Sequence, residues 1–124
     1  MLQGEERRKF IRIFLPGLQV RLNSGILFVR IGKVIDISLG GIKFVCSSEF
    51  NLGDDINVEV ALPSGLKLKC TANINRAEKV NNDKHEVVYG AQFVNLAANE
   101  QTELGTYIME QRAEQDGKLS KEVG

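Results

Sequence analysis

The sequence predicts a mainly β domain of about six antiparallel strands, in a barrel or sandwich, followed by one C-terminal helix. Three observations carry that expectation. Between residues 18 and 96, short apolar runs, several in strict alternation with polar residues, are separated by turn residues at the spacing of small antiparallel folds. From Ala97 the composition shifts to Ala, Glu, Gln and Met, which favour helix. The chain is 124 residues long, a single-domain length that buries roughly two-thirds of the surface of the unfolded chain.

Each element has a local reason. "LQVRL" alternates apolar and polar side chains and ends at Asn23-Ser24-Gly25, a turn. "ILFVRIGKVIDI" is rich in β-branched residues, and "IKFVC" follows the Gly40-Gly41 pair. "INVEVAL" meets Pro63-Ser64-Gly65, a hairpin signal before "LKLKCTANINRAEKV". Asn81-Asn82-Asp83-Lys84 then turns the chain into "HEVVYGAQFVNL". In the helix, Leu104, Tyr107, Ile108 and Gln111 fall on one face. Gly105 costs about 1 kcal/mol relative to Ala there, so that helix depends on docking, and Gly117 is its expected stop. The expected division is an N-terminal arm over 1–12, the barrel with its helix over 13–112, and a frayed tail over 113–124.

Composition excludes several classes. Hydrophobic residues make up 43% and charged residues 26%, as in ordinary globular domains and unlike disordered ones. No apolar run approaches 18 residues, so no membrane insertion is expected. No secretory signal is evident at the N-terminus, and cytoplasm is the expected compartment. Cys46 and Cys70 are too far apart for a CxxC site and His85 is the single histidine, so the thiols read as small buried hydrophobes and no metal is expected. Net charge is zero but uneven. Residues 1–35 hold seven Lys/Arg against two Asp/Glu, +5, and residues 36–124 hold nine against fourteen, −5. A binder of long nucleic acid should be basic throughout. Positive charge gathered at one end fits a compact anionic ligand better.

Two clusters could carry chemistry. The first is Arg7, Arg8, Lys9 and Arg12 in "ERRKFIR". Arg8 and Arg12 share a face whether the segment is helical or extended, and each guanidinium can grip phosphate oxygens or a guanine O6/N7 edge. A solubilising arm would look much the same. The second is "DISLGG", Asp36 to Gly41, at the end of an expected strand. Asp36 offers two acceptors that match the N1–H and N2–H₂ donors of guanine, and Ser38 can donate or accept beside it. Gly40 and Gly41 would permit a positive-φ turn and close ligand approach. A capped turn with no ligand is the plain alternative. Together the clusters describe a guanine nucleotide pocket. No phosphate-cradling loop with lysine is present, so nucleotide hydrolysis is not expected.

At these residues the chain resembles the PilZ family. "RRKFIR" is similar to its RxxxR motif, "DISLGG" to its D/NxSxxG motif, and "YGAQFVNL" to its late strand before a C-terminal helix. The resemblance covers roughly residues 5–112. It implies a six-stranded antiparallel β-barrel with a C-terminal α-helix and a flexible N-terminal arm, and binding of the bacterial second messenger cyclic di-GMP with no other cofactor. By position, Arg8 and Arg12 would be the motif arginines, and Asp36, Ser38 and Gly41 the fixed positions of the second motif. An arginine at Arg7 goes, in the family, with a stacked pair of intercalated ligands. The arm would close over the ligand, anchored by Phe10 and Ile11, and the shape change would pass to a downstream protein partner.

Rival classes remain in view. A PilZ-like adaptor with incidental or no nucleotide binding would share the fold. A barrel for single-stranded nucleic acid would want aromatic platforms and a basic groove, yet there is no Trp. No serine or cysteine has an identifiable base near it in sequence, so an enzyme is not expected. A homodimer through the helix face or a sheet edge is left open.

Overall fold

The computed structural model describes residues 11–15, 18–23, 29–80 and 82–123, with helix side chains as far as Glu114. Among the described residues there are seven strands: β1 (Ile13–Phe14), β2 (Gln19–Asn23), β3 (Arg30–Ile37), β4 (Gly41–Cys46), β5 (Asp55–Ala61), β6 (Lys67–Lys79) and β7 (Val87–Phe93). One helix, α1 (Ala98–Val123), follows them. Six strands close a ring in the order β3–β2–β5–β6–β7–β4, with β4 returning to β3, and every pairing is antiparallel. The fold is therefore the expected six-stranded barrel with one C-terminal helix. Each of the six has a neighbour on both sides, so the barrel has no open edge strand among the described residues.

The seventh strand was not expected. β1 pairs only with the last residues of β3, Ile13 with Ile37 and Phe14 with Asp36. β2 pairs with the first half of β3, from Gln19 opposite Lys33 to Leu22 opposite Arg30. The two short strands thus lie end to end along one side of β3. Backbone bonds from Leu15 N to Ile35 O (3.0 Å) and from Val34 N to Leu18 O (2.6 Å) stitch the junction. Two residues are too few to show a period, which is why β1 was invisible to pattern.

The alternation in each strand sorts side chains to two faces. Val20 and Leu22, Ile42 and Phe44, Ile56 to Val60, and Leu68 to Ile74 at every second position fill the interior. Cys46 and Cys70 are buried among them, free of any disulfide. Burial pushes the Cys70 thiol up to about 12 and raises that of Cys46, so both behave as packing groups. Leu104, Tyr107 and Ile108 of α1 join the same core, as their spacing predicts. Ala97 N donates to Glu100 Oε1 (3.3 Å), half of a capping box, while the other carboxylate oxygen accepts from Lys69 N of β6 (3.3 Å). The helix does not stop at Gly117 but runs to Val123. Glycine weakens a helix by about 1 kcal/mol yet keeps its N–H donor, so by itself it need not end one.

Candidate functional site

Parity along β3 predicts the wrong face for the key carboxylate. Gly32 and Val34 face the core, and strict alternation would carry Asp36 in after them. The β3–β4 register slips at this point, from Val34 opposite Phe44 to Asp36 opposite Lys43, leaving Ile35 as the extra residue of a bulge. Beyond it Ile37 fills the core and Asp36 turns to the outer wall. Asp36 and Ser38 are 7% and 8% exposed, the two buried polar residues among those described.

Ser38 lies just past the strand. Its hydroxyl accepts from Gly40 N (3.1 Å) and Gly41 N (3.2 Å), and its own N–H donates to Gly41 O (2.9 Å). The hydroxyl therefore holds the turn in shape at the cavity wall. The glycines also differ from expectation. Among the described glycines, positive φ belongs to Gly53 and Gly65, not to Gly40 or Gly41. Gly41 is required by packing instead, since a Cβ there would lie 2.2 Å from the carbonyl oxygen of Ala91 on β7.

The register of β1 brings the first motif to the second. With Phe14 opposite Asp36 and Ile13 opposite Ile37, the next residue, Arg12, arrives beside Ser38. Arg12, Asp36, Ser38 and Gly41 all line one open cavity of about 640 Å³, within the usual range for ligand pockets. Arg7 and Arg8, with Lys9 and Phe10, lie outside the described residues, so the structure places only Arg12 of the first motif.

The rest of the cavity was not foreseen. Its back wall is the outer face of β4 and β7, and its far side is β6. There a second bulge falls at Asn75, between the pairs Ile74–Ala91 and Arg76–Gly90. One cross-strand row then reads Asp36, Lys43, Gly90, Arg76 from β3 through β4 and β7 to β6. Directly opposed residues share a face, so the row presents a carboxylate, an amine, a gap and a guanidinium. Among the described residues, no hydrogen bond or ion pair engages the side-chain cation of Arg12, Lys43 or Arg76. The sequence does carry a trace of both bulges. In "KVIDI" and "ANINRAE" the two-residue alternation loses its phase, and that slip is what marks an extra residue in a strand.

Among the described residues there is no cluster of three or more metal-ligating side chains, and no helix is long and apolar enough to cross a membrane. No curated protein matches the sequence significantly. Solved structures match in fold. The Bacillus subtilis inhibitor of motility MotI/DgrA superposes with a TM-score of 0.78 at 19% identity, over 91% of this chain and 53% of that one. The PilZ domain of Escherichia coli YcgR, solved with c-di-GMP, gives 0.70 at 19% identity, over 93% and 98%. The MrkH–c-di-GMP complex of K. pneumonia gives 0.75 at 15% identity, over 94% and 55%. The chain thus spans about half the length of MotI/DgrA and MrkH, and nearly all of the isolated YcgR domain. The PilZ domain model matches residues 6–110, both motifs and the barrel included, and the chain belongs to the PilZ family of cyclic di-GMP receptors.

Proposed function

We propose that this protein is a non-catalytic cytoplasmic receptor for cyclic di-GMP that orders its N-terminal arm over the ligand and signals to a partner protein. The observation that carries the reading is the convergence of Arg12, Asp36, Ser38 and Gly41 on one cavity. Asp36 accepts from the N1–H and N2–H₂ groups of a guanine. Ser38 keeps the turn in shape, and Arg12 grips phosphate or a base edge, joined by Arg8 and Arg7 when the arm closes. Phe14, exposed and opposite Asp36, gives the closing arm apolar surface to cover, with Phe10 and Ile11 as the arm's anchors. Ordering six or seven residues costs on the order of 1 kcal/mol or more each. Each charge-assisted arginine contact returns roughly 1.5–3 kcal/mol, so closure depends on the ligand and acts as a switch. An Arg7 beside Arg8 favours a stacked pair of ligands.

Calorimetric titration with cyclic di-GMP, with GTP as control, tests this. Arg12→Ala and Asp36→Ala should each weaken binding more than tenfold, the loss of about 1.4 kcal/mol or more, with melting temperatures close to wild type. Arg7→Ala should lower the ratio from two ligands toward one. A wild type that gives no heat would leave a PilZ-shaped adaptor without a nucleotide ligand.

A further inference from the structure

Arg76 lies outside both motifs, on the far side of the cavity from Asp36. In the row Asp36–Lys43–Gly90–Arg76 the two ends are three strand spacings apart, roughly 14 Å between backbones. The place between Lys43 and Arg76 belongs to Gly90, which contributes no side chain. A Cβ there would sit 3.2 Å from the Arg76 Cβ and 3.5 Å from Asn75 Oδ1, so any larger residue would crowd the β6 bulge and fill the slot. The wall is thus open at the one position where a flat group could lie between a carboxylate and a guanidinium.

Guanine has an edge for each. Its Watson–Crick side offers donors to a carboxylate, and its O6 and N7 accept a bidentate arginine. Glu78, two residues along β6, lines the same cavity and makes that end unfavourable for phosphate. Arg12 lines the cavity at the other end, beside Ser38. The charges therefore sort the ligand: phosphates toward Arg12, a base edge toward β6.

We propose that Arg76 is a base-reading residue of the cyclic di-GMP site, holding the O6/N7 edge of a guanine from the β6 bulge while the "DISLGG" turn holds the opposite side of the cavity. This rests on the receptor reading above and adds a contact that neither motif supplies. Among the described residues, no hydrogen bond or ion pair engages the Arg76 fork.

The test is titration of cyclic di-GMP into wild type, Arg76→Ala, Arg76→Lys and Arg12→Ala, with melting temperatures as a fold check. Arg76 is exposed, so both of its variants should melt as wild type does. Arg76→Ala should weaken binding about tenfold, the usual worth of one bidentate base contact. Lysine keeps the charge but not the fork, so Arg76→Lys should remain within threefold of Arg76→Ala. Full recovery by lysine would show a phosphate or field effect and overturn the base-reading role. Wild-type binding lost in Arg12→Ala but unchanged in Arg76→Ala would overturn this inference and leave the receptor reading standing. A wild type that does not bind would overturn both.

Discussion

Along β5 and the first half of β6, the outer polar side chains answer one another. Lys67 Nζ meets Glu59 Oε1 at 3.1 Å, Thr71 Oγ1 donates to Asn57 Oδ1 at 3.4 Å, and Asn73 Nδ2 donates to Asp55 Oδ1 at 2.9 Å. The register there runs unbroken from Asp55 opposite Asn73 to Ala61 opposite Lys67. Two residues further along the same strand the pattern ends. From Asn75 the strand is bulged, and Arg76 faces Gly90 across a gap. The two walls do not differ in being polar. They differ at the seam of β6: toward β5, Thr71 and Asn73 face Asn57 and Asp55, whereas toward β7 Arg76 faces a glycine with no side chain to answer it. Matched groups add bonds between strands, whereas Arg76, opposite a glycine, gains none from its cross-strand neighbour.

The comparison breaks most severely at Gly41. The unmatched wall still needs its strands close, and a Cβ at this position would press on the β7 backbone, which cannot swing away as a flexible side chain could. Gly41→Ala should cost about 3 kcal/mol or more, the upper range for overpacking, read as a lower denaturant midpoint with any binding lost alongside. A variant as stable as wild type would show that β4 and β7 have room to part, and that Gly41 serves only the ligand.

A smaller effect is expected just behind the cavity floor. Next to Gly90, on the inner face, Tyr89 donates its hydroxyl to Ser48 O at 2.9 Å and accepts from Phe50 N at 2.9 Å. Its ring meets Phe44 and Phe50 at centroid distances of 5.6 and 5.4 Å. The wall that is unmatched outside is thus secured from within, through the loop between β4 and β5. Tyr89→Phe keeps the rings but orphans the buried Phe50 N–H and leaves the Ser48 carbonyl with only the weak Cys46 thiol donor at 3.7 Å, which should cost about 1–3 kcal/mol in denaturant unfolding. Unchanged stability would mean that water satisfies both groups and that the hydroxyl contributes nothing.

How much of this was legible in the sequence follows from distance along the chain. The six barrel strands declared themselves by local alternation, and Leu104, Tyr107 and Ile108 by helical spacing. "DISLGG" announced a site because its residues are adjacent, and Arg12 because the RxxxR motif is short. Lys43, Gly90 and Arg76 carried no local sign of belonging together. They meet because β4 pairs with β7 and β7 with β6, and only closure of the barrel sets that row. The same limit explains Ser38 and Gly41. Both residue types fitted ligand contact, and their hydrogen bonds and close approach add what the turn and the β4–β7 contact require of them. The bulges at Ile35 and Asn75 were written as breaks in phase, which a reading by segments passes over.

The smallest effect belongs to the matched wall, at Lys67. Its hydrogen bond is the chief reason the Glu59 carboxyl lies below its ordinary 4.5, outweighing a desolvation effect in the opposite direction. A carboxyl lowered on folding stabilises the protein above its unfolded value, and that contribution is lost as pH falls through the folded value. Lys67→Ala should therefore leave acid unfolding unchanged below the lowered folded value, and any effect on stability should be confined to higher pH. The Lys67 side chain is 67% exposed and that of Glu59 26%, and a surface pair of this kind is screened by solvent and costs side-chain freedom. At physiological salt the variant's denaturant midpoint at pH 7 should match wild type within error, unlike that of Tyr89→Phe. A drop as large as the tyrosine variant's would invert the comparison. The ion pair would then be a principal brace of the barrel, and matching on that wall would rank with the core as a source of stability.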